Sequence, residues 1–223
     1  MASFPMSSPN KAPLPAKPRL RGVSHEIAAY VSVVTGAWLV TRALEHGTEA
    51  SWAALIYAFC LFFLFAASAT YHRRTWGPEA RQWMRRVDHS AIYLLIAGTT
   101  TPIAALAVPA PTGPRMLWII WIAAIAGVIK SLAWIRAPKA FSALVYVLIS
   151  FSMFPFLPEL SSALGTANTA WILVGAALYV LGAASYAFKR PNPVPGVFGY
   201  HEVFHALVIL AATEGRRSPT RLL

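Results

Sequence analysis

Residues 51 to 72 read SWAALIYAFCLFFLFAASATYH, an uninterrupted apolar run that ends in a histidine. A helix needs about 20 consecutive apolar residues to cross the hydrocarbon core of a bilayer, and this run has that length. Together with six similar runs, it predicts spans over residues 27 to 44, 51 to 71, 87 to 108, 116 to 135, 140 to 158, 168 to 188 and 198 to 213. The sequence therefore predicts an all-α integral membrane protein, a bundle of seven transmembrane helices.

Composition supports the membrane class independently of the spans. Of the 223 residues, 57% are hydrophobic and 12% are charged, whereas soluble domains average about 25% charged residues. Helix breakers fall between the predicted spans, at Gly77-Pro78, residues 109 to 114, Ala137-Pro138, Leu157-Pro158 and residues 190 to 195. This length leaves no room for a second domain. Residues 25 to 214 are predicted to form one transmembrane domain, followed by a short basic tail over residues 215 to 223.

The N-terminal segment and the net charge argue against two other protein classes. Residues 1 to 21 are polar, contain five prolines and lack an apolar signal core. Residues 1 to 24 are therefore predicted to be a disordered, basic cytoplasmic leader, with no cleavable signal. The formal net charge of +11 is typical of membrane proteins whose cytoplasmic loops collect Lys and Arg, so no nucleic-acid partner is predicted. Cys60 is the only cysteine, which excludes an intramolecular disulfide.

The distribution of basic residues predicts the orientation of the bundle. Of the 19 Lys and Arg residues, 14 lie in the leader and in the second, fourth and sixth loops, and 5 lie on the opposite side. Cytoplasmic loops of membrane proteins carry the excess of Lys and Arg. We therefore expect a cytoplasmic N-terminus, an external C-terminus and a multi-pass location in the plasma membrane.

Three histidines fall at the same predicted depth of the bundle. His72 ends the second span, and His201 and His205 lie in the first turns of the seventh, one helical turn apart on one face. Three imidazole ligands leave the fourth tetrahedral position of a zinc ion open for water. Asp88, at the start of the third span, can orient that water and take its proton. Ser68, four residues before His72, faces the same way and can hydrogen-bond the water or a substrate carbonyl.

Other interpretations of these polar residues stay open at this point. A histidine at a membrane interface is more often a hydrogen-bonded or snorkelling residue than a metal ligand, and Asp88 can also serve as the N-terminal cap of its helix. Imidazole ligands alone do not distinguish zinc from other divalent ions. His25 and His46 have no identified partner. Three further residues either orient the ligand imidazoles or pack between helices, namely His89, Glu202 and Tyr93.

Three separated motifs resemble one known family. They are Ser68-Ala-Thr-Tyr-His72, Asp88-His-Ser-Ala-Ile-Tyr-Leu-Leu-Ile-Ala-Gly-Thr-Thr-Thr-Pro102 and Gly199-Tyr-His-Glu-Val-Phe-His205. Over residues 24 to 213 the chain resembles the bacterial haemolysin III branch of the progestin and adipoQ receptor family, which is related to alkaline ceramidases. The resemblance implies a seven-helix fold with Zn²⁺ held by His72, His201 and His205, Asp88 acting through a water, and Ser68 nearby. The family's usual Thr-His-Gly in the first span is replaced here by Val34-Thr35-Gly36.

These observations predict a zinc-dependent membrane hydrolase that acts on a lipid amide, with metal-bound water as the nucleophile and a role in membrane-lipid homeostasis. The expected partners are membrane lipids. One alternative is a non-enzymatic sensor or regulator of membrane lipids with a structural zinc, and another is a haemolysin-like protein that perturbs membranes. Metal or proton transport is disfavoured because few ionisable residues lie in the outer half of the spans. A pore is disfavoured because the bundle has no obvious polar channel face.

Overall fold

The computed structural model describes residues 17 to 222, with side chains as far as residue 213. This part of the chain forms eight α-helices and one short 3-10 turn, Phe154–Phe156, and contains no named β-strand. The helices are α1 (Val23–Leu44), α2 (Thr48–Arg73), α3 (Pro78–Leu106), α4 (Thr112–Ala133), α5 (Lys139–Phe151), α6 (Leu157–Leu164), α7 (Thr166–Phe188) and α8 (Tyr200–Leu222). Most of the predicted leader, residues 1 to 16, lies outside the described residues.

Six helical segments within the described residues are long and apolar enough to cross a membrane. They are α1 to α4, the segment Lys139–Leu164 that contains α5 and α6, and α7. The apolar part of α8, Tyr200–Thr213, is shorter. The prediction of an α-helical membrane protein is confirmed, whereas the seventh crossing over residues 198 to 213 stays a prediction.

Two helices differ from the predicted spans for reasons of local chemistry. Helix α3 begins at Pro78, nine residues before the predicted start at residue 87. The prediction missed these residues because the first turns of the helix are polar and a hydropathy pattern detects only apolar segments. Proline fits the first turn of a helix, where its missing N–H leaves no bond unmade. The fifth segment was predicted to end at Pro158, but α5 ends at Phe151 and the chain continues through the 3-10 turn into α6. Pro158 lies in the first turn of α6 and begins a helix there.

The interior of the bundle is built around α2 and α3. Just over half of the apolar window of α2 (56%) and half of that of α3 (50%) are buried, against 28% or less for the other spanning segments. Tyr57, Leu61 and Phe65 on α2 pack in one core cluster with Ala91 on α3 and Val208 on α8. The outward faces of the other helices carry many exposed large apolar side chains, which is the surface that lipid tails cover in a bilayer.

Gly127 on α4 allows the closest approach in the second core cluster. A Cβ atom at this position would lie 2.3 to 2.6 Å from the ring of Tyr93, and that ring is fully buried. The ring belongs to α3, so α3 and α4 pack closely only because residue 127 has no side chain.

We predict that Gly127→Ala destabilises the protein by about 1 to 3 kcal/mol, the usual cost of overpacking a filled core. The measurement is the thermal unfolding midpoint in detergent, which should fall by several degrees. Gly77→Ala is the control, because its Cβ would meet nothing within 4 Å and its backbone φ of −61° suits any residue. Equal midpoints for Gly127→Ala and wild type would contradict the packing described here.

Candidate metal centre

Three helices bring the predicted site residues to one end of the bundle, which we call the site end. His72 lies in the last turns of α2, His201 and His205 lie in the first turns of α8, and Asp88 lies on α3. Helix α8 starts at Tyr200 after a loop rich in proline. Two imidazoles four residues apart on this helix therefore face the end of α2.

The three histidines form a buried group that fits a metal ion. Each offers one ligand atom, and these atoms lie within 4.8 Å of one another. The Nε2 atoms of His72 and His201 are 3.0 Å apart. Two nitrogens bound tetrahedrally at about 2.0 to 2.1 Å from one zinc ion lie about 3.3 Å apart, so small side-chain movements satisfy the geometry. Nδ1 of His205 is buried without a hydrogen-bond partner in the described part of the chain, and a buried imidazole nitrogen needs a partner.

Asp88 lies beside this group without belonging to it. Its Oδ2 atom is 3.9 Å from Nε2 of His72, and 13% of its side chain is exposed. This distance is too long for a hydrogen bond and suits contact through an intervening molecule. The buried hydroxyl of Ser68 lies near the carboxyl group of Asp88. The structure therefore brings together all five residues that carry the predicted chemistry.

A fourth histidine, which the sequence analysis left without a partner, also lies in the site. The ring of His25 stacks on that of His205, with centroids 3.7 Å apart and planes inclined by 7°. His25 is only 2% exposed, and neither of its ring nitrogens has a hydrogen-bond partner among the described residues. Because the two rings lie nearly parallel and in contact, His25 restricts the rotation of the His205 ring. Its position at the start of α1, at the site end, is the signal that could have revealed it.

Two of the predicted supporting residues lie further away. The carbonyl of His89 accepts a hydrogen bond from the Tyr146 hydroxyl at 3.4 Å. Tyr93 packs against Tyr146, with ring centroids 4.7 Å apart, in the core between α3, α4 and α5. No hydrogen bond or ring contact joins either residue to the three histidines among those described. An orienting role for His89 and Tyr93 stays a prediction.

Comparison with known proteins assigns the family. A family model described as haemolysin-III related matches residues 15 to 214. The chain belongs to the haemolysin-III related family. Hemolysin-3 from Bacillus cereus is 31% identical over 169 residues, which cover 75% of this chain and 77% of that protein. The Hemolysin-3 homolog of Bacillus subtilis is 25% identical over 190 residues, or 84% and 85% of the two chains.

A more distant similarity extends to animals and supports the wider resemblance. The adiponectin receptor protein of Drosophila melanogaster is 28% identical over 171 residues, which cover 69% of this chain and 37% of the receptor. The predicted kinship with haemolysin III and with the progestin and adipoQ receptor family is confirmed. The Bacillus relatives and the six apolar helices identify a multi-pass bacterial membrane protein.

In this haemolysin-III related protein, an apolar cavity of about 220 Å³ leads from the candidate metal site into the bundle. Asp88, His201 and His205 line it together with Ser68. Most of the remaining wall is apolar and comes from α3, α5, α6, α7 and α8. A cavity with an apolar body and a few polar groups in its wall suits an amphiphilic ligand.

Glu202 holds the start of α8 and is the third predicted supporting residue. Its Oε2 atom accepts a hydrogen bond from the backbone N–H of Gly199 at 2.8 Å, as in a capping box. Its Oε1 atom pairs with Nε of Arg21, which precedes α1. The pair ties the segment before α1 to the helix that carries His201 and His205. The sequence analysis did not identify Arg21, because nothing in the sequence pairs residues 181 positions apart.

The segment before α1 crosses the site end next to His72, one of the three predicted metal ligands. The backbone N–H groups of Arg19 and Leu20 donate to the carbonyls of Gly196 and Val197, at 3.0 and 3.2 Å. Gly22 has a φ of +81°, and a Cβ atom there would lie 2.7 Å from Cβ of His72. Only glycine combines this backbone conformation with so close an approach. Residues 19 to 22 therefore pack directly over His72.

We predict that Glu202→Ala lowers the free energy of unfolding by about 3 kcal/mol, because it leaves Arg21 without its carboxylate and α8 without its cap. Thermal unfolding in detergent measures the loss. Glu26→Ala is the matched control, since it breaks an exposed ion pair with Arg73 that contributes about 1 kcal/mol or less. Glu202→Gln keeps an acceptor for Gly199 and should fall between the two. Similar losses for Glu202→Ala and Glu26→Ala would refute the role given to Glu202.

Proposed function

We propose that this protein is a zinc-dependent hydrolase that cleaves the amide bond of a membrane lipid. The observation that carries the proposal is the buried group of His72, His201 and His205 beside Asp88, in the wall of an apolar cavity. Neutral imidazoles are common zinc ligands, and three of them correspond to a catalytic site with an open position.

The side chains supply the proton transfers of such a reaction. When bound, zinc polarises a carbonyl oxygen and lowers the pKa of its coordinated water toward about 7. Asp88 takes a proton from the attacking water as the new C–O bond forms, and returns it to the amide nitrogen as the C–N bond breaks. Ser68 holds the carboxylate of Asp88 in the orientation that this transfer needs. The products are a carboxylic acid and an amine.

The cavity supports a lipid as the substrate. Its walls provide apolar contacts from Ile92 and Ile96 on α3 and from Tyr179 on α7. An acyl chain placed there leaves its amide carbonyl beside Asp88. The substrate therefore enters from the bilayer or from the site end of the bundle.

The proposal includes a topology in which α8 makes the seventh crossing. Fourteen of the 19 Lys and Arg residues lie on the side of the N-terminus in this arrangement. The excess of positive charge supports a cytoplasmic N-terminus and an external C-terminus. The site end then faces the cytoplasm.

A second candidate function is a membrane-lipid sensor in which the metal is structural. Two contacts favour it, the stacking of His25 on His205 and the pairing of Arg21 with Glu202. They connect α1 and the segment before it to α8, so a metal ion bound there would join α1, α2 and α8. A sensor needs the histidines for stability and does not need the proton transfer of Asp88. The two functions therefore differ in what they require of Asp88.

The deciding experiment combines metal analysis with a cleavage assay on one detergent-purified sample. The substrate is a sphingoid base that carries a fluorescent N-acyl chain, and the product is the free fluorescent acid. We expect about one zinc per chain and release of the acid, both lost on chelation and both restored by added zinc. A zinc-loaded protein that cleaves no lipid amide contradicts the hydrolase and favours the sensor. A protein that binds no metal contradicts both.

A further inference from the structure

Three basic side chains turn inward at the site end, outside the group of histidines. Arg85 lies on α3, Lys130 lies near the end of α4, and Lys139 is the first residue of α5. Each is half-buried, whereas Arg136, in the loop between α4 and α5, is exposed. We call Arg85, Lys130 and Lys139 the basic triad. Basic residues that only anchor a loop at the membrane surface are expected to be exposed, as Arg136 is, so the burial of the basic triad indicates a different role.

The contacts of the two lysines hold them in place without neutralising them. Nζ of Lys130 donates to the buried hydroxyl of Ser142 at 2.7 Å. Nζ of Lys139 donates to the hydroxyl of Tyr200 at 2.9 Å and lies 4.7 Å from the ring centre of Tyr186. All these partners are neutral. The lysines are therefore positioned by hydrogen bonds and aromatic rings, and their positive charges stay uncompensated.

Several carboxylates in the described chain pair with other residues, and Asp88, three residues beyond Arg85 on α3, lies within electrostatic reach of Arg85 without forming an ion pair with it. Glu202 pairs with Arg21, Glu26 with Arg73 and Glu45 with Arg42. No member of the basic triad has a carboxylate oxygen within 4.0 Å among the described residues.

The three charges nevertheless lie near one another. Ser142, which accepts the hydrogen bond from Lys130, is about one helical turn beyond Lys139 on α5, and Tyr146, one turn further, donates to the carbonyl of His89 on the helix that carries Arg85. Partly buried like charges in one region repel each other unless an anion joins them.

The region that the basic triad surrounds adjoins the apolar cavity. His89, Tyr146 and Tyr186 line that cavity, and Lys139 lies over the ring of Tyr186. His89 is one helical turn beyond Arg85 on α3. An amphiphile with its tail in the cavity therefore places its polar end among the three cations.

We propose that Arg85, Lys130 and Lys139 bind the phosphate group of an anionic phospholipid at the mouth of the cavity. A phosphate offers several charged oxygens to cations that approach from three helices, and Arg and Lys both bind it. A carboxylate offers only two oxygens in one plane. The proposal goes beyond the hydrolase, because such a lipid binds whether or not zinc is present and whether or not any bond is cleaved. Soluble phosphate shares this chemistry, so the experiment has to separate the two sources.

The test compares binding of phosphatidylglycerol with binding of diacylglycerol of the same acyl chains, in detergent, by native mass spectrometry. Wild type should bind phosphatidylglycerol at least about tenfold more tightly, since each charge-assisted hydrogen bond contributes a factor of this order. The triple variant Arg85→Gln, Lys130→Gln, Lys139→Gln should lose the preference. A control triple variant removes the same charge from three exposed residues, Arg74→Gln, Arg81→Gln and Arg136→Gln, and should keep the preference within about twofold.

If both triple variants lost the preference for phosphatidylglycerol to the same extent, general attraction between basic loops and anionic lipid would explain the binding. That result would overturn the proposal. Displacement of the lipid by millimolar inorganic phosphate would overturn the lipid source and assign the triad to soluble phosphate. Retention of the lipid supports the phospholipid. The thermal unfolding midpoint of each variant checks that it is folded. If the triple variant does not fold, Lys139→Gln alone should weaken binding about threefold or more, and Lys139→Arg should restore it.

Discussion

Asp88→Asn is expected to keep the metal and to lower lipid-amide turnover by about a thousandfold, the size of effect that follows loss of a general base. Asparagine preserves the shape of the side chain and its contact with Ser68 but cannot take a proton from water. The measurement is zinc content together with release of the fluorescent acid from the same purified sample.

Glu79→Gln is the matched control for this substitution. Glu79 is exposed in the first turn of the same helix, so its substitution should change neither zinc content nor turnover. Loss of zinc from Asp88→Asn would make Asp88 a direct ligand and would contradict a ligand set of His72, His201 and His205 alone. Unchanged turnover in Asp88→Asn would contradict the hydrolase chemistry outright.

His205→Ala is expected to reduce the zinc content from about one ion per chain to less than about a tenth, because two imidazoles do not hold zinc against water and buffer. Turnover falls with the metal. Zinc should raise the thermal unfolding midpoint of wild type by mass action, and this increase should vanish in the variant. His46→Ala serves as the control, since His46 is exposed just after the far end of α1 and its ring hydrogen-bonds the carbonyl of Arg42. Full zinc content in His205→Ala would exclude the three-histidine site.

The fold was largely predictable because the bilayer sets a minimum length for each apolar segment that crosses it. Hydropathy located all the helices that line the site, and it failed where helices leave the apolar layer. The polar start of α3 is an example, since Arg81, Arg85 and Arg86 hide nine residues of helix from an apolar pattern. The fifth segment shows the second limit. Pro158 lies in the first turn of α6, and a proline in the sequence does not by itself show whether a membrane segment ends there or continues in a new helix.

Part of the site was predictable for a different reason. The spacing of His201 and His205 is fixed by the helix period, and charge counting placed His72 at the same depth. The contact between His25 and His205 was not predicted, because it depends on how α1 is rotated against α8, and the position of His25 along the sequence gives only its depth at the site end. Arg21 was hidden for a similar reason, since its partner Glu202 is brought near only by the closed bundle.

His72 and His201, whose Nε2 atoms lie 3.0 Å apart, are separated by 129 positions along the chain. A ribosome adding about ten residues per second needs roughly thirteen seconds to cover that distance. During this interval His72 and Asp88 are already in the membrane with only part of their surroundings, a costly state for polar groups at that depth. An ion that needs all three histidines, as proposed, binds only after the final helix is delivered. Metal occupancy of the proposed site would therefore report that insertion of the chain is complete.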